Sequence, residues 1–250
     1  MNIRALVAEA VGTYILVAFG TLGVTTMAII TQGEGSPLVA SLIIPFSFGL
    51  GLMAAIAVGG HASGGHYNPA VTLGALLDGR VTWQSAAGYV VAQLAGAVAA
   101  SLTLVFIASS DVVKLSVNLP GSTAADQLGR ELHSFAVEAI LTAVFVAVIL
   151  TVTRNSPKQA ILVIPLTLVA IHYVGMHISG ASVNPVRSLA PAVVTGTYDS
   201  LWVYLTAPFL GAVLGWGVYR ILMPPNDEVS VEIEDELDDD FDELDEADED

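Results

Sequence analysis

Residues 179–192 read SGASVNPVRSLAPA, placing Arg187 three residues beyond an asparagine followed by proline, with long apolar runs on both sides. If those runs lie in a membrane, the arginine has to be hydrated, paired or functional. An Asn-Pro pair by itself is only a turn or helix-start signal. Here it occurs twice, because residues 63–76 read SGGHYNPAVTLGAL, and Asn68 and Asn184 stand 116 positions apart. YVVAQLAGAV from Tyr89 lines up with YLTAPFLGAV from Tyr204 at an offset of 115, and Glu9 in VAEAVGTYILVAFG is answered by Glu138 in AVEAILTAVFVAVIL. Three correspondences in one order mark an internal repeat, which has to be recognised before a fold is assigned.

The composition supplies the setting. The 250 residues are 54% hydrophobic and 13% charged, more apolar than soluble domains of this size. Apolar stretches run over about 5–30, 38–58, 83–108, 132–152, 160–178 and 201–222. Each approaches or exceeds the roughly 20 residues that cross a bilayer as a helix. The first reads as a membrane span and not a signal peptide, since Glu9 interrupts it early and it continues too long. Segments 68–77 and 184–194 are apolar but too short to cross, which suits re-entrant half-helices.

Arg4, Arg80, Arg154, Lys158 and Arg220 fall on one side of the spans and Lys114 and Arg130 on the other, placing both termini in the cytoplasm. Three spans in each half invert the second half relative to the first. The fold class expected is therefore an all-α membrane protein, six transmembrane helices plus two re-entrant half-helices in an inverted repeat.

In such a half-helix, Asn68 or Asn184 serves as N-cap, its side-chain oxygen accepting a backbone N–H, while Pro69 or Pro185 at the first helical position lacks the orphan donor. Each asparagine NH2 is then left to point elsewhere. The inverted half-helices meet near the midplane, where their positive dipole ends converge and repel cations. Irregular backbone at 63–67 and 179–183 is tolerated at that depth only where it lines a wet cavity. Carbonyls of Gly64, Gly65, Gly180, Ala181 and Ser182 are placed in that lining. A row of acceptors with two asparagine donors describes a path for small polar molecules.

Other chemistries lack their residues. There is no cysteine, so disulfides and thiolate metal sites are excluded. No Gly-rich dinucleotide loop after a strand, Walker lysine or HExxH is found. No metal, cofactor, enzymatic activity or nucleic-acid partner is expected.

Over about residues 3–222, through SGGHYNPAVTLG, NPVRS, the paired glutamates and the repeat order, the chain resembles the aquaporin and glycerol-facilitator channels, the major intrinsic proteins. The resemblance implies one pore per subunit, a homotetramer in the plasma membrane, and passive passage of water without protons or ions. By position it assigns the narrow constriction to Phe48, His172, Ala181 and Arg187, and a pore carbonyl to His66. Phe48, His172 and Arg187 resemble the set of water-selective members, as do Ser188 and Ala192. On that reading the imidazole and the guanidinium both offer donors, and Arg187 is hydrated by the pore.

Ala70 keeps the family's alanine after Asn-Pro, whereas Val186 replaces it in the second motif. Leu205 and the small Ala181 resemble glycerol facilitators, so an aquaglyceroporin-like pore for glycerol or another small neutral solute is the alternative. Tyr204 keeps an aromatic usual in water channels. The resemblance also gives Glu9 and Glu138 a structural part, holding the re-entrant backbones, in preference to proton carriage.

His61, His66 and His177 are read as loop residues near the pore mouths without metal-ligand geometry, and His133 as capping or bordering the fourth span. Two rivals stay open on the residues alone, a proton-coupled transporter using Glu9, Glu138 and His172, and a scaffold on the same fold. The net charge of −16 is local: residues 1–226 carry eight acids and eight bases, whereas residues 227–250 carry sixteen acids and no base. The chain divides into a channel domain over 1–226 and an acidic tail over 227–250, expected to be disordered in the cytoplasm. Such a tail suits a salt-rich cytoplasm, where screening shortens self-repulsion. Leu237, Phe241 and Leu244 share a helical face that leaves a partner-binding helix as a lesser reading.

Overall fold

Lipid offers no hydrogen bonds to a backbone, so chains of this composition cross it as helices or closed barrels. The computed structural model describes residues 2–30, 37–122 and 124–223, and among these only helices and loops occur. In chain order the helices are α1 (Ile3–Ile30), α2 (Pro37–Ser63), α3 (Pro69–Leu77), α4 (Trp83–Ile107), α5 (Ser110–Lys114), α6 (Gln127–Asn155), α7 (Ala160–Gly175), α8 (Pro185–Thr195) and α9 (Leu201–Leu222), with a 3-10 turn at Pro157–Gln159 before α7. Six are long and apolar enough to cross a membrane, and α3 and α8 are the short pair. Phe19, Leu50, Leu102, Phe106, Ile140 and Leu166 stand exposed on the long helices, as an all-round apolar helix in lipid requires. The acidic segment 227–250 and the readings made on it lie outside the described residues.

Packing follows the repeat. α1 lies chiefly on α2 and α4, and α6 chiefly on α9, with α7 beside it. The short helices cross over: α3 packs on α9 of the second half, and α8 on α4 of the first. The closest approaches are themselves repeated. A Cβ at Gly96 would stand 2.0 Å from the Ala10 carbonyl oxygen, and one at Gly211 2.4 Å from that of Ala139. Small residues let α1 meet α4, and α6 meet α9, backbone to backbone, the usual device of helix pairs in lipid.

The helix limits differ from the apolar stretches where polar contacts, and not hydropathy, set the end. α2 continues past residue 58 to Ser63, through Gly59, where a Cβ would come within 2.8 Å of the Tyr67 hydroxyl and 3.2 Å of Ala8. α6 begins at Gln127, earlier than residue 132, because the Asp126 carboxylate accepts the Gly129 N–H at 2.9 Å. That bond holds the Asp126 carboxyl below the usual range. Asp126 is thus the cap, and His133 lies inside the helix. α7 stops at Gly175, short of residue 178, and its last carbonyl accepts the Ser179 N–H at 2.9 Å as the chain turns inward. The short α5, in the connection between α4 and α6, carries no periodic signal and was not expected.

A lumen between two half-helices

The two asparagines that start the short helices also lock them together. Asn68 caps α3, its Oδ1 accepting the Ala70 N–H at 2.8 Å, with Pro69 at the first helical position. Asn184 caps α8, its Oδ1 accepting the Val186 and Arg187 N–H groups at 3.2 and 3.4 Å, with Pro185 next. Their amide nitrogens are not both free. Asn68 Nδ2 donates to the Val183 carbonyl at 2.7 Å, and Asn184 Nδ2 donates to the Tyr67 carbonyl at 2.9 Å. Because an amide carries two N–H donors, each asparagine keeps one beyond this reciprocal bond.

Those accepting carbonyls belong to backbone held in an unusual conformation. Gly64, Gly65 and Tyr67 have φ of 91°, 70° and 49°, and Gly180, Ala181 and Val183 have φ of 86°, 48° and 47°. Positive φ is costly for alanine and tyrosine and more so for β-branched valine. Buried carboxylates hold it in place. Glu9 accepts the His66 and Tyr67 N–H groups at 2.9 and 2.7 Å and the Ser63 hydroxyl at 2.6 Å. Glu138 accepts the Ser182 and Val183 N–H groups at 2.8 and 2.7 Å and the Ser179 hydroxyl at 2.7 Å. Both glutamates are fully buried, and their protein partners are donors directed at the carboxylate oxygens.

A cavity of about 460 Å³ runs from this meeting point to the face that carries the ends of α6 and α9. Asn68, Asn184, Gly64, Gly65, His66 and Ser182 line its polar side. Leu52, Ile56, Val71, Val146, Ile164 and Leu168 line the apolar side, while Arg80, Thr153 and Lys158 stand at the mouth. Phe48, His172 and Arg187 close the other end, with exposures of 2%, 1% and 6%. The Phe48 ring stacks on His172 with centroids 4.5 Å apart and 18° between planes, and the Arg187 guanidinium lies 4.6 Å from the Phe48 centroid.

Several sequence expectations change at this end. Arg187 is partly paired within the protein, since Nη1 donates to the Ser116 carbonyl at 3.0 Å and to Asn118 Oδ1. His172 Nδ1 lies 2.9 Å from the Leu168 carbonyl and so must donate, which leaves Nε2 of a neutral ring as an acceptor, not a donor. Among the described residues His172 Nε2 and Arg187 Nε have no protein partner. Ala181 is buried under Gly175, and neither it nor Gly180 lines the cavity; the Gly180 carbonyl accepts from Asn118 Nδ2 at 3.1 Å. Val186 packs with Val17, Ala18, Ala97 and Ala190 away from the cavity, so its extra methyls fill a helix junction.

Four participants were missed. Ser63 and Ser179 occupy equal places in the repeat, a signal that was present. Gln93, fully buried on α4, donates to Glu9 at 2.7 Å and to Thr72 at 2.9 Å; an amide inside an apolar span was its cue. Asn118 bonds Arg187, Ser188 and Gly180 from the connection after α5, where no repeat or periodicity points to it.

Spanning helices in two inverted halves, with a lumen where their half-helices meet, define a membrane channel. The chain belongs to the major intrinsic protein family: the family profile described as Major intrinsic protein matches residues 1–219. Members of that family are passive channels, so this protein is a channel and not an enzyme. It is 40% identical over 229 residues to human Aquaporin-2, covering 89% of this chain and 80% of that one. It is 37% identical to Glycerol uptake facilitator protein-like 6 of Lactiplantibacillus plantarum, with 88% and 98% covered. Aquaporin Z of Rhodopseudomonas palustris is 36% identical, with 90% and 95% covered. The X-ray structure of the aquaglyceroporin from Plasmodium falciparum shares the fold at a TM-score of 0.77 and 24% identity, covering 89% of this chain and 97% of that one.

Proposed function

We propose that the channel conducts water and excludes glycerol, protons and ions. The observation that carries this reading is the closed end, where the Phe48 ring meets both His172 and the Arg187 guanidinium, and where an acceptor, His172 Nε2, and a donor, Arg187 Nε, have no protein partners among the described residues. A water can satisfy both in passing, whereas a three-carbon polyol would press its CH groups against a guanidinium and an imidazole. At the midplane the second N–H of Asn68 and of Asn184 orients a passing water's oxygen, which interrupts proton relay. Arg187 and the converging helix dipoles add a barrier to cations.

On this reading Phe48, His172 and Arg187 form the selectivity filter, with Ala181 packed under Gly175 behind them, Asn68 and Asn184 form the pore centre, and Pro69, Ala70, Pro185, Val186, Glu9 and Glu138 its support. Residues 1–226 form the channel domain and 227–250 an appended cytoplasmic tail. The start of α1 and the end of α9 face the cytoplasm of a plasma membrane, and the working unit in lipid is a homotetramer. The names of two relatives point in different directions, one to glycerol uptake and one to water. A glycerol-conducting pore gains from the apolar side of the lumen.

Stopped-flow light scattering on proteoliposomes separates the two. Water permeability is expected well above that of empty vesicles, without a proton gradient, and glycerol permeability close to theirs. Arg187→Val is expected to raise glycerol flux. Glycerol-driven reswelling of the unsubstituted protein at rates comparable to water would transfer the assignment to the glycerol class.

A further inference from the structure

The face at the ends of α6 and α9 is strongly cationic. Arg4, Arg80, Arg154, Lys158 and Arg220 lie there, against Asp78 alone among the described acids. Asp78 is already taken, because its carboxylate meets Arg80 Nε at 2.7 Å. Arg80 also donates to the Leu150 carbonyl at 2.8 Å and to the Tyr219 hydroxyl at 3.2 Å, which fixes it between α3, α6 and α9. Beside it opens a recess of about 320 Å³ lined by Asp78, Arg80, Thr153, Arg154, Tyr219 and Arg220. Arg154 Nη1 donates to the same Tyr219 hydroxyl at 3.3 Å, and among the described residues nothing pairs with the exposed Arg220. Arg80 and Thr153 line both this recess and the lumen mouth, so an occupant here sits at the rim of the conduction path.

The chain carries a matching ligand at the right place. Asp227 follows the last residue of α9, Leu222, by five positions, at most about 17 Å of extended chain. We infer that the recess is a docking site for the protein's own acidic segment, which enters through Asp227, Glu228 and Glu232 and lays carboxylates against Arg154 and Arg220. Arginine forks suit carboxylates bidentately. Tethering raises the local carboxylate concentration to about the millimolar range, so individually weak contacts suffice. The segment needs no folded structure of its own to do this. The other chemistry that fits the recess is the headgroup of an anionic lipid. The covalent tether and sixteen acids against none of the opposite sign favour the segment.

The absence of cysteine makes the test direct. Spin labels are placed at Gln159→Cys on the exposed 3-10 turn and at Ser230→Cys in the acidic segment, on the full chain in nanodiscs, and their distance distribution is measured. At low ionic strength a narrow, short population is expected. In ~1 M salt, where the screening length is about 3 Å, it should fall several-fold into a broad one. Arg154→Gln with Arg220→Gln should abolish the short population, and so should Asp227→Asn with Glu228→Gln and Glu232→Gln, which leaves the folded face untouched. A broad distribution indifferent to salt, or a short population that survives both sets of substitutions, overturns the inference. A short population seen in neutral lipid but lost in anionic lipid gives the recess to lipid headgroups, which also overturns it.

Discussion

The two halves of the channel share a skeleton and differ in wiring. In both, a buried glutamate collects a serine hydroxyl and two consecutive N–H groups from a loop with positive φ. Beyond this clamp they part. Glu9 gains a fourth donor from Gln93, whereas the corresponding position in the second half is Pro208, which has no amide to offer. At the position of Arg187 the first half carries Val71, so one half presents methyl groups to the lumen and the other a guanidinium. The Thr72 hydroxyl is held by Gln93 from a neighbouring helix, while its counterpart Ser188 is held by Asn118 from a distant connection. What repeats is the machinery that bends the chain into the membrane. What diverges decides where the constriction lies, which is why it closes one end of the lumen only.

The sharpest way to break the comparison is to remove each carboxylate in turn. Glu138→Gln puts an NH2 group against either the Ser182 or the Val183 N–H and removes the negative charge acting on Arg187. Losing such a buried network member costs about 3 kcal/mol or more. Glu9→Gln also leaves one backbone N–H unpaired, but Gln93 can turn its amide so that Oε1, without a partner among the described residues, accepts the new N–H. Thermal unfolding in detergent should therefore show a larger loss for Glu138→Gln than for Glu9→Gln. Equal losses would mean that Gln93 is not the adaptable partner that separates the halves.

A second test acts on the wiring found in one half alone. Asn118→Ala deletes the acceptor of Arg187 and Ser188 and the donor to the Gly180 carbonyl. The expected cost is about 1–3 kcal/mol of stability. Freed of one partner, the guanidinium should sample more positions, and the ratio of glycerol to water permeability in proteoliposomes should rise. An unchanged ratio with lowered stability would confine Asn118 to holding the loop.

These contacts also mark how far the sequence can be read. Spans, half-helices and their inversion were legible because each is a local pattern repeated: Asn-Pro after a serine and glycine, glutamate in an apolar run, and the like stretches from Tyr89 and Tyr204. The helix limits were less so, since α6 begins at a side-chain cap and α7 ends in a turn, inside stretches whose hydropathy does not change. Arg187 and His172 could be singled out, but not the direction of their hydrogen bonds. His172 Nδ1 is spent on a carbonyl one helical turn away, and Arg187 on a loop some seventy residues distant. Asn118 was invisible because its partners lie on α8 and in the loop after α7, which meet the connection after α5 only once α8 has packed beside α5. The cross-bonds from Asn68 and Asn184 likewise depend on two loops meeting, not on either loop's sequence.

The smallest expected effect lies where the halves differ by a single methyl. Gly65 and Ala181 hold the same place in the repeat, with φ of 70° and 48°. Ala181→Gly removes the penalty of a left-handed alanine, about 1–2 kcal/mol, but gives up a buried methyl worth about 0.8 kcal/mol and adds about 0.5–1 kcal/mol of backbone entropy to lose on folding. The terms nearly cancel, so stability should stay within about 1 kcal/mol of the parent. Gly65→Ala has no such compensation: the new Cβ would sit 3.3 Å from Gly60 Cα and 3.4 Å from Tyr67 Cε2, in a left-handed residue. It should lose about 1–2 kcal/mol, read as a lower unfolding temperature. If Gly65→Ala proves as neutral as Ala181→Gly, the two loops tolerate side chains alike, and the alanine in the second half reflects latitude in the backbone clamp. If it is the costlier of the two, packing against α2 has kept the first loop bare, while the space under Gly175 has let the second carry a side chain.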